Sequence, residues 1–221
     1  MPSVPPDIRL VGARVRGRVL VKAARKPAAG VLLGFHGYLE SADTQLARLE
    51  QMPGADGWTL VSVQGLNRVY RGRSEETVAS WMTRQDRDEA IADNIEYVNR
   101  VVADLGIRRG DATVVCAGFS QGGAMAFRAG VRGAFGTAGV ICVGADVPPD
   151  LLADSGAAFP PVLLVRGVRD EWLTPDTFES GVTALRARGT DVSPLVVDAA
   201  HEWTNSVSRA AGDFLLRFQK P

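Results

Sequence analysis

Short, nearly continuous apolar runs recur along the chain from residue 30 onward. They span residues 30–35, 59–63, 113–119, 138–144, 161–167 and 192–198. Runs of this length without an alternating polar face are typical of parallel strands that are buried on both sides. The pattern therefore predicts six parallel strands in one sheet.

The segments between these runs have helical periodicity. The longest places apolar residues at steps of three and four between Ile91 and Leu105, and Gly106 follows as a helix stop. Four more helices are predicted over residues 43–52, 121–132, 175–188 and 202–219. Strands that alternate with helices, joined by right-handed crossovers, build a doubly wound α/β sandwich with helices on both faces of a mostly parallel sheet.

Two segments depart from this alternation. Residues 8–23 alternate between apolar and basic positions, with glycines at 12 and 17, which predicts an N-terminal antiparallel hairpin at the edge of the sheet. Residues 64–81 have no clear periodicity and are predicted to form a long loop, a kind of segment that is often functional in compact domains. Because no linker, repeat or low-complexity stretch divides the chain, we expect one domain over residues 1–221 without a cap domain.

Composition and charge exclude several classes of protein. The chain has 221 residues, 46% of them hydrophobic, which is enough to bury a core without disulfides or metal ions. Its 25 Lys and Arg residues balance 25 Asp and Glu residues, so no nucleic-acid partner is expected. No apolar run reaches the length of a membrane span, and the first residues do not resemble a secretory signal. We therefore expect no membrane insertion and a cytoplasmic location.

The cysteines and histidines do not form a metal-binding pattern. Cys116 and Cys142 each lie inside an apolar strand run, which predicts two reduced core thiols. There is no CxxC motif, and His36 and His201 lie far apart in the sequence. The sequence thus predicts neither a metal site nor a cofactor.

The pentapeptide Gly118-Phe119-Ser120-Gln121-Gly122 has the form GxSxG. It follows a predicted strand and opens a predicted helix, which is the setting of a nucleophile elbow. In so tight a turn, a side chain at position 118 or 122 would clash with neighbouring backbone, so Ser120 alone is presented. The sequence predicts Ser120 as a catalytic nucleophile, with an ordinary helix N-cap serine as the alternative.

A serine hydroxyl needs a base to take its proton. His201 follows the last predicted strand, and His36 ends the first. In the α/β hydrolase arrangement the chain order is nucleophile, acid, histidine, and only His201 satisfies it. Its alternative role is that of a polar loop residue.

The acid that orients the histidine should follow a strand between these two positions. Asp170 lies three residues beyond the run that ends at Gly167, and it is the predicted acid. Glu171, Asp146 and Asp176 are the alternatives, although Asp176 follows a proline and has the pattern of a helix start.

On these residues the chain resembles the serine esterases of the α/β hydrolase superfamily, and within them the small phospholipase/carboxylesterase group. The resemblance rests on His36-Gly37 after the first strand, the Gly-Phe-Ser-Gln-Gly-Gly elbow at 118–123, the Gly-x-x-Asp turn at 167–170 and the late His201. It implies an oxyanion hole made by the backbone amides of Gln121 and Tyr38, with Leu39 as the alternative to Tyr38. The loop departs from the family pattern at Tyr38-Leu39-Glu40, where small residues are usual.

Aromatic and apolar residues flank the predicted site. Leu39, Trp81, Trp172 and Trp203 are predicted to line the substrate pocket, with capping of the core as the alternative for the tryptophans. The arginines between 68 and 87 are interpreted as a solvated loop face rather than a site for an acidic group.

The sequence therefore predicts a cofactor-free serine hydrolase that acts on small or short-chain carboxylic esters through an acyl-enzyme. A thioesterase, peptidase or acyltransferase with the same triad is an alternative, because triad geometry does not select the leaving group. A catalytically idle hydrolase fold that binds ligands is the alternative from a different class.

Overall fold

The strands alternate with helices as their apolar runs require. In the computed structural model, which describes residues 7–25 and 28–219, the strands are β1 (Val19–Lys22), β2 (Gly30–Phe35), β3 (Trp58–Val63), β4 (Asn67–Tyr70), β5 (Thr77–Ser80), β6 (Val114–Phe119), β7 (Gly139–Val143), β8 (Val162–Gly167) and β9 (Val192–Val197). Seven of them form one sheet in the order β1-β3-β2-β6-β7-β8-β9, and β4 pairs separately with β5. Only β1 runs antiparallel within the large sheet.

Helices cover both faces of this sheet. They are α1 (Ala42–Glu50), α2 (Arg87–Asp104), α3 (Gln121–Arg132), α4 (Pro149–Leu152), α5 (Pro175–Ala187) and α6 (Asn205–Leu216). Successive strand residues point to opposite faces, so Leu33 belongs to the apolar cluster that includes residues of α2, α3 and α5, and Leu32 belongs to the cluster that includes residues of α1 and α6. The result is a three-layer sandwich with two apolar cores.

The structure confirms the mostly parallel sheet, the antiparallel edge and the helices on both faces. The edge differs from the prediction in detail, because residues 8–18 form no strand and β1 pairs with β3 instead of with a hairpin partner. In this stretch the side chains of Ile8, Val11 and Val15 are exposed, so no apolar face holds a strand against the sheet. Part of the predicted loop at 64–81 is the β4–β5 hairpin.

Within the described residues, no helix is long and apolar enough to span a membrane. Cys116 and Cys142 are free and fully buried in the central strands β6 and β7. Burial raises the pKa of the Cys116 thiol to about 12, so this thiol stays protonated at neutral pH.

Candidate active site

Ser120 lies at the sharp turn between β6 and α3. Its backbone has φ 52° and ψ −124°, a conformation that a residue with a side chain rarely adopts. A Cβ atom at Gly118 would overlap the backbone of Gly122, and one at Gly122 would overlap the carbonyl oxygen of Phe35 on β2. The two glycines therefore permit the tight turn that holds Ser120 at the carboxyl end of the central strands.

Ser120, His201 and Asp170 are joined by two hydrogen bonds. The Nε2 atom of His201 lies 2.9 Å from the Oγ of Ser120, and its Nδ1 lies 2.9 Å from the Oδ2 of Asp170. These three residues come from the loops after β6, β8 and β9, whose carboxyl ends lie at one edge of the sheet. The arrangement is that of a nucleophile, a base and an acid that orients the base.

Asp170 is held by its own turn. Its Oδ1 accepts hydrogen bonds from the backbone amides of Trp172 and Leu173, both at 2.9 Å, which leaves Oδ2 for His201. The Asp170 side chain is 1% exposed, whereas that of His201 is 20% exposed. The acid is thus fixed and shielded from water, and the imidazole remains accessible from the cavity.

Within the described residues, the other acidic candidates make no hydrogen bond to His201. Glu171 and Asp176 are exposed, and Asp146 is exposed at the rim of the cavity. In the described part of the chain, Asp170 is the carboxylate within hydrogen-bond distance of His201.

His36 has a structural place beneath the loop after β2. It is fully buried, its Nε2 accepts the backbone N–H of Gly65 at 2.9 Å, and its Nδ1 donates to the carbonyl oxygen of Gly37 at 2.7 Å. Burial is the main cause that lowers the pKa of His36, so the ring is neutral at physiological pH. Both ring nitrogens are occupied, and neither is directed to Ser120.

Trp81 differs from its predicted place in the pocket. It is fully buried, and its Nε1 donates to the carbonyl oxygen of His36 at 2.9 Å while its ring packs against Phe35 and the imidazole of His36. The prediction of Trp81 as a pocket residue is therefore corrected: the side chain supports the loop from below because its single N–H finds its partner there.

Gln121 is anchored through its side chain to the segment after β5. Its Oε1 accepts the backbone N–H of Trp81 at 2.8 Å, and its Nε2 donates to the carbonyl oxygen of Met82 at 2.8 Å. These contacts fix the first residue of α3, and with it the backbone amide beside Ser120. The helix N-terminus adds a partial positive charge at the same point.

The loop after β2 lies beside the elbow, since a Cβ atom at Gly37 would come within 3.1 Å of the Phe119 ring. Leu39 has φ 53°, and its amide donates to the carbonyl oxygen of Ala79 at 3.0 Å. Because that amide is already paired, Leu39 does not supply the second oxyanion donor, and the candidate left in this loop is the amide of Tyr38. Leu39 also lies outside the cavity beside Ser120, which corrects its prediction as a pocket residue.

An ion pair that the sequence analysis missed holds this loop. Glu40 accepts the N–H of Gly37 at 2.7 Å and both ends of the Arg48 guanidinium at 2.5 and 2.6 Å. Arg48 in turn lies over the rings of Phe119 and Trp203, with distances of 4.4 and 5.9 Å from the guanidinium carbon to the ring centroids. The eight-residue spacing of Glu40 and Arg48 across a helix start gives no local pattern that would identify the pair.

A cavity of about 310 Å³ opens beside Ser120 and His201. Trp172 lines it. Trp203 does not, and its Nε1 donates to the hydroxyl of Ser208 on α6 at 3.0 Å. The other side chains that line the cavity were not predicted to do so; they include Met82, Arg87, Ala124, Arg128, Leu173, Thr177 and Asp146, the last of which was an alternative acid. One signal was available, since residues 121, 124 and 128 recur at helical spacing on one face of α3.

Neither a family model nor a curated protein matches the chain. Solved structures do match it. Esterase PE8 superimposes with a TM-score of 0.74 at 23% identity, over 92% of this chain and 100% of that one. The acyl-protein thioesterase 2 of Zea mays has a TM-score of 0.73 at 15% identity, over 92% and 99%. The carboxylesterase of Bacillus cereus has a TM-score of 0.71 at 16% identity, over 91% and 94%.

The fold is that of the α/β hydrolases. At these identities the likeness shows the fold alone, and the reaction has to be argued from the residues of this chain. These structures cover more than nine tenths of this chain, so the shared fold extends over nearly its whole length.

Proposed function

We propose that the protein hydrolyses small carboxylic esters through a covalent acyl-enzyme on Ser120. The observation that supports this most directly is the pair of 2.9 Å hydrogen bonds that links Ser120 through His201 to Asp170. A neutral imidazole at this distance can accept the serine proton, and a buried carboxylate stabilises the imidazolium that results. The names of the matching structures, esterases and a thioesterase, agree with acyl transfer.

In the first half of the reaction, the Oγ of Ser120 attacks the ester carbonyl carbon and its proton passes to the Nε2 of His201. The negative charge that develops on the carbonyl oxygen accepts hydrogen bonds from the amides of Gln121 and Tyr38. Removal of one such donor typically costs a factor of about 10² to 10³ in kcat. The carbon–oxygen bond to the alcohol then breaks, and His201 returns its proton to the leaving oxygen.

In the second half, water takes the place of the alcohol. His201 accepts a proton from the water as its oxygen attacks the acyl carbon, and the ester bond to Ser120 breaks with return of that proton to Oγ. Asp170 stabilises the charged imidazole without taking its proton.

The size of the cavity supports small substrates. Its volume of about 310 Å³ lies at the lower end of the range typical of ligand pockets. A short acyl chain fits such a space, whereas a long lipid chain would extend into solvent. The cytoplasmic location stays a prediction.

The test is hydrolysis of p-nitrophenyl esters of increasing chain length by the wild type and Ser120→Ala. We expect activity to be highest for short chains and to fall by a factor on the order of 10⁶ in Ser120→Ala. Ser155→Ala, a change in an exposed loop, is the matched control and should keep wild-type activity and melting temperature.

A fluorophosphonate probe separates this proposal from a ligand-binding module. We expect one covalent adduct on the wild type, at Ser120, and none on Ser120→Ala. A folded wild type that neither hydrolyses any ester nor reacts with the probe would refute the proposal. Comparison of an acyl thioester with the oxygen ester of the same acid tests the thioesterase alternative, which the same triad could perform.

A further inference from the structure

Arg128 is a buried cation in the wall of the cavity beside Ser120. Its side chain is 1% exposed, and the residue lines the same cavity as Ser120 and His201. It lies on α3, eight residues after Ser120, which corresponds to about 12 Å along the helix axis. Helical side chains lean toward the N-terminus, so the guanidinium is displaced from its own Cα toward the end of α3 that carries Ser120.

The two edges of this guanidinium have unequal partners. Nε and Nη2 donate to the carboxylate of Asp150, with a shortest distance of 2.7 Å. Within the described residues, Nη1 donates to the sulfur of Met82 at 3.6 Å. A thioether is a weak acceptor, so the two N–H groups of Nη1 keep most of their capacity to bind an anion. Met82 lines the cavity too, which places this edge at the cavity wall.

Asp150 does not neutralise the charge at this site. Arg132 also donates to the Asp150 carboxylate, at 2.9 Å, so two guanidinium groups share one negative charge. Partial burial would raise the pKa of Asp150, but the hydrogen bonds and charge of Arg128, followed by the charge of Arg132, lower it. The cluster of Arg128, Arg132 and Asp150 therefore has one excess positive charge.

The other charged side chains that line the cavity are exposed. Arg87 lies in the first turn of α2 on the rim and adds positive charge, and Asp146 opposes it from the loop after β7. Water and salt screen both of them. The buried Arg128 is screened much less, and it favours a negatively charged group on a ligand. Asp170 is buried as well, but its carboxylate is compensated by two backbone amides and by His201.

We propose that the cavity binds a small ester with an acidic group at one end, and that Nη1 of Arg128 receives a carboxylate there. This inference rests on the proposed esterase function and names its substrate class. An arginine edge matches the geometry of a carboxylate, and a charge-assisted hydrogen bond in a shielded site is worth roughly a factor of 10 to 100 in affinity. A neutral substrate would leave the Nη1 edge without a partner.

The experiment compares acidic and neutral esters of the same shape. On the acyl side these are mono(4-nitrophenyl) adipate and its methyl ester; on the alcohol side they are 4-acetoxybenzoate and its methyl ester. We expect the wild type to prefer the acidic member at least tenfold in kcat/KM in one of the two pairs, which also identifies the end of the substrate that reaches Arg128. If, in both pairs, kcat/KM for the neutral ester were equal to or higher than kcat/KM for the acidic ester, the proposal would be overturned.

Two arginine variants test whether Arg128 provides the preference. Arg128→Gln should reduce it to about twofold or less, chiefly through a higher KM for the acidic ester. Arg100→Gln is the control, since Arg100 is an exposed arginine that pairs with Glu96 on α2 and does not line the cavity, and it should keep the wild-type preference. Equal loss in both variants would overturn the proposal. If Arg128→Gln does not fold, the proposal is still tested by the ratio of kcat/KM for the acidic and neutral esters, measured in the wild type and in Arg128→Lys.

Binding without turnover separates this inference from the esterase function. The wild type should be stabilised thermally by monomethyl adipate and not by dimethyl adipate at the same concentration. A protein that hydrolyses none of the four esters yet is stabilised by the acid alone would refute the esterase function and retain the anion site. If the protein hydrolysed the esters without preferring the acidic members, and monomethyl adipate did not stabilise it, the anion site would be refuted and the esterase function retained.

Discussion

Replacement of Glu40 by glutamine tests how the loop after β2 is held. Its carboxylate binds the Gly37 amide and both ends of Arg48, and the two charged side chains are 19% and 14% exposed. Partial burial would raise the pKa of Glu40, but the hydrogen bonds and charge of Arg48 lower it, so Glu40 is ionised at neutral pH. Glu40→Gln keeps the size of the side chain and leaves Arg48 without its counter-charge.

The cost of this change follows from the burial of the pair. Removal of one partner from a buried ion pair costs about 3–5 kcal/mol. Because both side chains keep some exposure and glutamine can still accept one hydrogen bond, we expect a loss of about 2–3 kcal/mol in the free energy of unfolding. In a chain of this length, 1 kcal/mol corresponds to about 2–4 °C, so the melting temperature should fall by about 4–12 °C.

Activity should fall as well, since the same loop holds the Tyr38 amide. Loss of one oxyanion donor costs a factor of about 10² to 10³ in kcat, and a loosened loop should give a decrease up to that size with a smaller change in KM. Melting curves and p-nitrophenyl ester kinetics at neutral pH measure the two effects.

Glu50→Gln is the control for Glu40→Gln. Glu50 pairs with Lys22 at the surface, with side chains 39% and 59% exposed, and such a pair contributes at most about 1 kcal/mol. If Glu40→Gln melted no lower than Glu50→Gln and kept the wild-type kcat, the Glu40–Arg48 pair would not hold the loop.

Three further outcomes are expected. Asp170→Asn should lower kcat by about 10⁴ with little change in melting, whereas Glu171→Gln should change it less than threefold, as steady-state kinetics would reveal. The lowered pKa of His36 means that the unfolded chain binds a proton that the folded chain resists, so the free energy of unfolding should fall as the pH drops below 6.5, and His36→Gln should flatten this decline in urea titrations. Gly122→Ala should destabilise the protein by at least about 3 kcal/mol or prevent folding, because its Cβ would overlap a carbonyl oxygen of β2; an unchanged melting temperature would contradict the close approach.

The elbow could be predicted because its requirements are local. Gly118, Ser120 and Gly122 lie within five residues, and the apolar strand before them and the helical periodicity after them define the turn. The six parallel strands were predictable for a similar reason, since each is short, continuous and apolar. The hairpin at residues 8–23 was not, because alternation alone does not supply the partner that a strand must pair with.

Asp170 and His201 could be predicted because the topology of the sheet brings residues that are distant in sequence to the same edge. Parallel strands have their carboxyl ends at one edge of the sheet, so a residue just after β8 and one just after β9 approach the residue after β6. Their order along the chain then selects among the candidates. The tryptophans had no such constraint, and whether Trp81 or Trp203 faces the cavity depends on where each indole N–H finds a partner.

The burial of charged side chains was the feature that could least be predicted from the sequence. A charged residue in an amphipathic helix is normally assigned to the solvent face, and by that rule Arg128 would point outward. It is buried instead because Asp150, on a different helix, accepts two of its donors. Such a partner becomes visible only when the chain is folded, and the same holds for Arg48 and Glu40. The proposed nucleophile is therefore encoded in a short motif, whereas the proposed anion site and the loop after β2 are defined by pairs of residues on different elements. Swapping the two members of such a pair, as in Arg128→Asp with Asp150→Arg, should restore stability lost in either single variant but not the preference for an acidic ester, because the cation would then lie away from the cavity wall.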